Sequence, residues 1–158
     1  MHFLQESEYF RSVTTRRSYK IKQCIGCTTT NVIYLISCPK CMVQYVGSTS
    51  TQFKVRFRNH KSAMLAKKVT CETAVHFNQT SHDWSALSFI GIEKICENNL
   101  TDIDKLLLTR EAYWTAQLNT LQPYDLNKRC ELRSKNRIIY NVWLLFFAIP
   151  TGFNYFIF

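Results

Sequence analysis

The sequence predicts an α/β (α+β) fold, a small three-stranded antiparallel sheet flanked by helices. Three observations carry this. Two short apolar runs of β-favouring residues, Val32-Ile33-Tyr34 and Tyr45-Val46-Gly47, are joined by a Cys38-Pro39-Lys40-Cys41 break, the pattern of a hairpin. A third run, Trp84–Cys96, is rich in Leu, Phe and Ile and alternates imperfectly, as a further strand does. Between and after these runs lie stretches with the apolar spacing of helices.

Residues 1–30 are basic and polar, with Arg11, Arg16, Arg17, Lys20 and Lys22, and read as an arm or linker. The hairpin follows over 31–47. A helix is expected from about Thr51 to Lys67. There Phe53, Phe57, Met64 and Leu65 form a rough apolar face, and Lys54, Arg56, Arg58, Lys61 and Lys67 are the basic positions. Glu72–Asn78 is a candidate second helix. Thr101 and Asp102 are N-cap candidates for a helix running to Leu118, with Ile103, Leu106, Leu107, Tyr113, Trp114 and Leu118 at helical spacing. Pro123 ends that region. A second basic stretch spans Lys128 to Arg137, before the apolar, aromatic segment Ile138–Phe158.

That tail, grouped with the basic run as 130–158, admits three readings. Its length approaches the roughly 20 apolar residues that cross a bilayer, with basic residues on its N-terminal side. Asn141, Pro150, Thr151, Gly152 and Asn154 interrupt it, which suits a buried helix or strand. The third reading is read-through sequence with no selected structure.

The 158 residues carry a formal charge of +9, which points to an anionic partner, nucleic acid above all. Apolar content of 46% and charged content of 20% exclude a disordered chain. The first ten residues carry Glu6 and Glu8 and lack the pattern of a secretory signal. A reducing, nuclear or cytoplasmic compartment is therefore expected, where paired cysteines read as metal ligands.

Five pieces now stand in order: the two tyrosine runs, Arg56 with His60 four residues on, Arg110-Glu111-Ala112-Tyr113-Trp114, and Asn127 in Asp125-Leu126-Asn127. Together they make residues 31–129 resemble a GIY-YIG endonuclease domain. Taken singly each has a plain reading: strand tyrosines pack, Arg56 and His60 form a solvated helix face, Glu111 is a surface charge, and Asn127 closes a turn. The resemblance implies a metal-dependent DNA endonuclease with Tyr34, Tyr45, Arg56, His60, Glu111 and Asn127 as its site residues. Glu111 would hold Mg²⁺ or Mn²⁺, since a hard cation accepts few carboxylates and keeps several waters. Arg56 would donate to phosphate oxygens with a permanently charged guanidinium. Tyr34 would take the proton of the attacking water. Tyr45 and His60 would orient water and phosphate, with His60 an alternative base. Two departures stand out. Val32 replaces the family's first glycine, and Arg56 follows Tyr45 by eleven residues, one more than in some members.

Cys38 and Cys41 form a CxxC within the hairpin turn, and His76 and His82 follow as His-x5-His, completing a tetrahedral donor set on paper. The 34 residues between the pairs exceed zinc-finger spacing. GIY-YIG domains of Penelope-like retroelements are similar: two cysteines between the tyrosine motifs and two histidines later. That resemblance implies structural Zn²⁺ on Cys38, Cys41, His76 and His82, and a reverse transcriptase of the same element as partner. Two free buried cysteines and two surface histidines is the plain alternative. Cys24 and Cys27 make another CxxC that binds a second ion, competes for the first, or does nothing; Cys71, Cys96 and Cys130 show no pattern. Two other function classes stay open: a non-catalytic, zinc-stabilised nucleic-acid-binding remnant, and a tail-anchored membrane protein with a basic cytosolic domain.

Overall fold

The structure, a computed structural model, describes residues 7–79, 85, 87–96, 102–123 and 125–128. Its centre is the antiparallel pair β3 (Val32–Cys38) and β4 (Val43–Thr49), joined by a turn that Met42 N–H closes onto the Cys38 carbonyl at 2.8 Å. Strand β5 (Ser88–Lys94) pairs with the other side of β3, giving the order β4-β3-β5 with every pairing antiparallel. The expected three-stranded sheet is present. The expected third strand, Trp84–Cys96, is shorter than its apolar run, and Trp84 lies outside the described residues.

β3 is the middle strand, and both its faces are covered, which is why Val32 to Ile36 reads as unbroken apolar sequence rather than an alternation. Ile33 and Leu35 point into a core with Val46, Ile92, Leu107 and Leu118, closed by α3 (Ile103–Leu118). Val32, Tyr34 and Ile36 point the other way, toward Phe89 and the start of α1 (Phe53–Leu65). A third cluster joins α1 to α2 (Glu72–Gln79) through Ala63, Met64, Ala74 and Phe77, with Cys38 of the hairpin turn.

The helix limits follow local chemistry. Asp102 caps α3, accepting from Asp104 N–H at 3.1 Å and Lys105 N–H at 3.2 Å. Asn119 ends it in the left-handed region at φ 54°, a conformation asparagine tolerates better than most residues. Leu65, expected on the apolar face of α1, is 64% exposed; that face is carried by Phe53, Phe57 and Met64.

The stretch expected to be an arm carries two further strands, β1 (Tyr9–Arg11) and β2 (Ser18–Lys20), paired with each other. Phe10 and Tyr19 stack at 5.4 Å and both meet Trp114 of α3 edge-on. Ser12 Oγ donates to the Leu118 carbonyl at 2.8 Å. Alternation over only three residues per strand, set among charges, was too short to register as a strand pattern. The free edge of β4 is also covered. Asn127 Oδ1 accepts from Val46 N–H and its Nδ2 donates to the Val46 carbonyl, each at 2.8 Å, while Asp125 Oδ1 accepts from Gln44 N–H.

Candidate active site

Register places the tyrosines. Tyr34 faces Gly47 on β4 and Gly91 on β5, so the middle-strand phenol has a glycine on either side. The space is needed at Gly47: a Cβ there would lie 2.5 Å from Tyr34 Cζ and closer still to its oxygen. A Cβ on Gly91 would meet Ile25 Cγ2 at 2.5 Å, so Ile25 lids the opposite flank. Tyr45 lies on the same face, two residues before Gly47 and opposite Ile36.

Helix α1 brings Arg56 and His60 over that face. Arg56 Nε donates to the Tyr34 hydroxyl at 2.8 Å, and the same oxygen lies 2.9 Å from His60 Nε2. The rings of Tyr45 and His60 meet edge-on at 5.9 Å. His60 Nδ1 lies 3.1 Å from Thr73 Oγ1 on α2, and that hydroxyl is 3.2 Å from Cys71 Sγ. An open cavity of about 230 Å³ adjoins these groups, lined by Tyr45, Arg56, Asn59, His60, Thr70, Cys71 and Glu72.

Glu111 stands on α3, where its Oε2 accepts from Ser48 Oγ at 2.5 Å. Its charge is felt across the edge strand by Tyr45, Tyr34 and Arg56. The electrostatics follow from burial. Tyr34 is pushed above the ordinary phenol range by desolvation and by Tyr45, against the opposing charge and hydrogen bond of Arg56. Desolvation and Glu111 raise Tyr45 in the same way. Desolvation, then the neighbouring Arg56, lowers His60 to about 3, so its imidazole is neutral near pH 7. Desolvation also raises Glu111, opposed by the Ser48 hydrogen bond and Arg56. Arg56 loses to burial but gains more from Tyr34, Tyr45 and Glu111, and its pKa rises.

Thus Tyr34, Tyr45, Arg56 and His60 are brought together, with Glu111 within electrostatic reach. Asn127 stands apart in kind: both its side-chain polar atoms are engaged by the Val46 backbone. Ser48, Thr73 and Glu72 were not singled out from sequence. Ser48 follows the second tyrosine motif directly, a signal that was available. Thr73 had none, because its contact depends on how α2 packs on α1.

Cys38, Cys41 and His76 form a second group whose donor atoms all lie within 4.8 Å of one another. Two sulfurs and an imidazole nitrogen suit a borderline-soft ion, and bonds of about 2.0–2.3 Å would set such donors roughly 3.5–3.8 Å apart, so the group closes on a metal with small adjustments. His82 lies outside the described residues, and Cys24 and Cys27 are exposed and not part of this group. Among the described residues no helix is long and apolar enough to cross a membrane; the tail 138–158 lies outside them.

Comparison with curated proteins and with solved structures returned no match. A family model, the GIY-YIG catalytic domain, matches residues 30–125, more than half of the chain. Those limits enclose both tyrosine strands, the Arg56–His60 helix and the Glu111 helix. The chain belongs to the GIY-YIG family, a family of nucleases.

Proposed function

We propose that this chain is a metal-dependent DNA endonuclease that nicks target DNA for a Penelope-like retroelement. The observation that carries the nuclease reading is the meeting of Arg56 and His60 on the Tyr34 hydroxyl, beside a cavity and within the field of Glu111. In this reading Tyr34 takes the proton of the attacking water as its own passes along the hydrogen bond to His60 Nε2, an imidazole that burial and Arg56 make a weak base until the negative phosphate in the adjoining cavity offsets them. Arg56 steadies the phenol and offers its remaining N–H groups to the phosphate. Tyr45 and His60 border the cavity in which the scissile phosphate sits. Glu111 fits a hard divalent cation, being a single carboxylate whose Oε2 is already oriented by Ser48. Such a cation, when bound, supplies the positive charge that stabilises the phosphate and leaving oxygens. Asn127 acts here by holding β4, and with it Tyr45, in place.

Exposed Arg11, Arg16, Arg17, Lys20 and Lys22, fixed on the β1–β2 hairpin and its flanks, would hold the phosphate backbone without reading sequence. The retroelement assignment is supported by the Cys38–Cys41–His76 group, which we assign to structural Zn²⁺ with His82 as its fourth donor. A reverse transcriptase reading frame flanking this one in the genome is the expected partner, and its absence from intact copies would overturn that assignment.

A second reading, a non-catalytic nucleic-acid-binding remnant, is favoured by one observation: Tyr34 is 0% exposed. A nicking assay on supercoiled DNA with Mg²⁺ separates the two. Wild type should nick, and Glu111→Ala and Tyr34→Phe should each fall by about 100-fold or more. Equal activity in wild type and Glu111→Ala overturns the metal-ligand role, and DNA binding without nicking by wild type selects the remnant.

A further inference from the structure

The hydrogen bonds around Tyr34 have a direction that the nuclease reading does not require by itself. A buried phenol must give its proton to an acceptor. Arg56 cannot be that acceptor, because a guanidinium has donors only. Among the described residues, the acceptor within reach of the Tyr34 oxygen is His60 Nε2, at 2.9 Å. A neutral imidazole accepts on one nitrogen and donates from the other, so His60 carries its hydrogen on Nδ1. That hydrogen points to Thr73 Oγ1, at 3.1 Å on a side chain that is 0% exposed. The Thr73 hydroxyl also lies 3.2 Å from Cys71 Sγ, a contact in which either atom can donate. The donors run one way: Arg56 to Tyr34, Tyr34 to His60, His60 to Thr73.

We infer that Thr73 is a positioning residue that fixes the tautomer of His60, so that the Nε2 lone pair faces the Tyr34 hydroxyl. The inference rests on the nuclease reading for its consequence, since a phenol that takes a proton from water must release its own, but the tautomer is a property of the resting protein. Removing the Thr73 hydroxyl leaves Nδ1–H facing a methyl group in a buried site. The ring then gains nothing from keeping that tautomer, and Nε2–H competes with Arg56 for the same oxygen. Thr73 does not itself line the cavity; it lies behind His60 and Cys71, which do, and its bearing on Tyr34 runs through His60.

Nitrogen-15 NMR of the His60 ring in the full chain reads the tautomer without any reaction. Wild type should show the Nδ1–H form, Thr73→Val a mixture that includes Nε2–H, and Thr73→Ser the wild-type form. In the nicking assay Thr73→Val should lower kcat by about 10-fold with KM for DNA unchanged, and Thr73→Ser should restore it. A wild-type ring in the Nε2–H form overturns the inference, even if Thr73→Val fails to fold. So does a folded Thr73→Val protein with unchanged kcat beside an active wild type. A wild type that binds DNA without nicking would sink the nuclease reading, while the NMR result would still decide the tautomer.

Discussion

The two ends of the β3–β4 hairpin are built differently. At the Tyr34–Gly47 end, three elements interlock: β3 supplies the phenol, α1 supplies Arg56 and His60, and α2 supplies Thr73, all at hydrogen-bond distances of 2.8 to 3.1 Å. At the Cys38–Cys41 end, the last residue of β3, the turn after it and one residue of α2 place two sulfurs and a nitrogen near one point. The first end is organised by the fold. The second is where we assign an ion, which would tie the hairpin turn to α2. Function and stability should therefore separate along these seven-residue strands.

The largest expected effect tests the reactive end. Gly47→Ala forces a methyl into the space of the Tyr34 ring, and a displacement of about 1 Å at a reacting group costs on the order of 100-fold in rate. The nicking assay checks this; circular dichroism should show the fold retained. The opposite result is expected at the turn. If the group holds the zinc we assign to it, Cys38→Ser should lose that zinc and lower the melting temperature, by about 2–8 °C for each kcal/mol lost, while the part that stays folded keeps nicking. Unchanged zinc stoichiometry would remove the distinction between the ends.

The covered edge of β4 tests which end depends on it. Asn127→Ala leaves Val46 N–H without its partner and should cost about 1–3 kcal/mol in a denaturation titration, with activity falling through Tyr45 rather than through any contact with DNA. Asp125 offers a pH test of the same edge. Burial raises its carboxyl above the ordinary aspartate value to about 6, against the backbone hydrogen bonds from Gln44 and Leu126. The folded pKa lies above the unfolded one, so the native state binds more protons between those values, and stability falls as pH rises from about 4 through about 6. Asp125→Asn should flatten that part of the stability–pH curve; a curve of unchanged slope would count against the assignment. The smallest effect lies on the far flank. Glu93→Gln weakens the partly exposed pair with Arg110, at 2.9 Å, and should change stability by about 0.2–1 kcal/mol with no change in nicking.

Much of the reactive end was legible because it is written locally. The tyrosine runs, the Asp102 cap and the Arg56–His60 spacing are each contained in a few adjacent residues, and the sheet and helices they imply are present. The β1–β2 hairpin was not legible, because three-residue strands with one inward-facing aromatic apiece do not make a periodic signal; Phe10 and Tyr19 pack on Trp114, about a hundred residues away. Thr73 and Gly91 were silent for the same reason: one owes its place to helix–helix packing, the other to the register of β5 on β3. Asn127 was picked out by its motif, yet its engagement with Val46 is visible only when chain segments 81 residues apart are set side by side.

The middle position of β3 has a consequence for how the protein moves. Its amides are bonded to strands on both sides and its side chains are covered on both faces, so in a hydrogen-exchange experiment they should be the last to exchange, released only by global opening. Tyr34 belongs to that slowest unit. Heating should therefore extinguish the phenol's chemistry and the whole fold in a single transition, with no intermediate temperature at which the body survives and the reactive centre has melted.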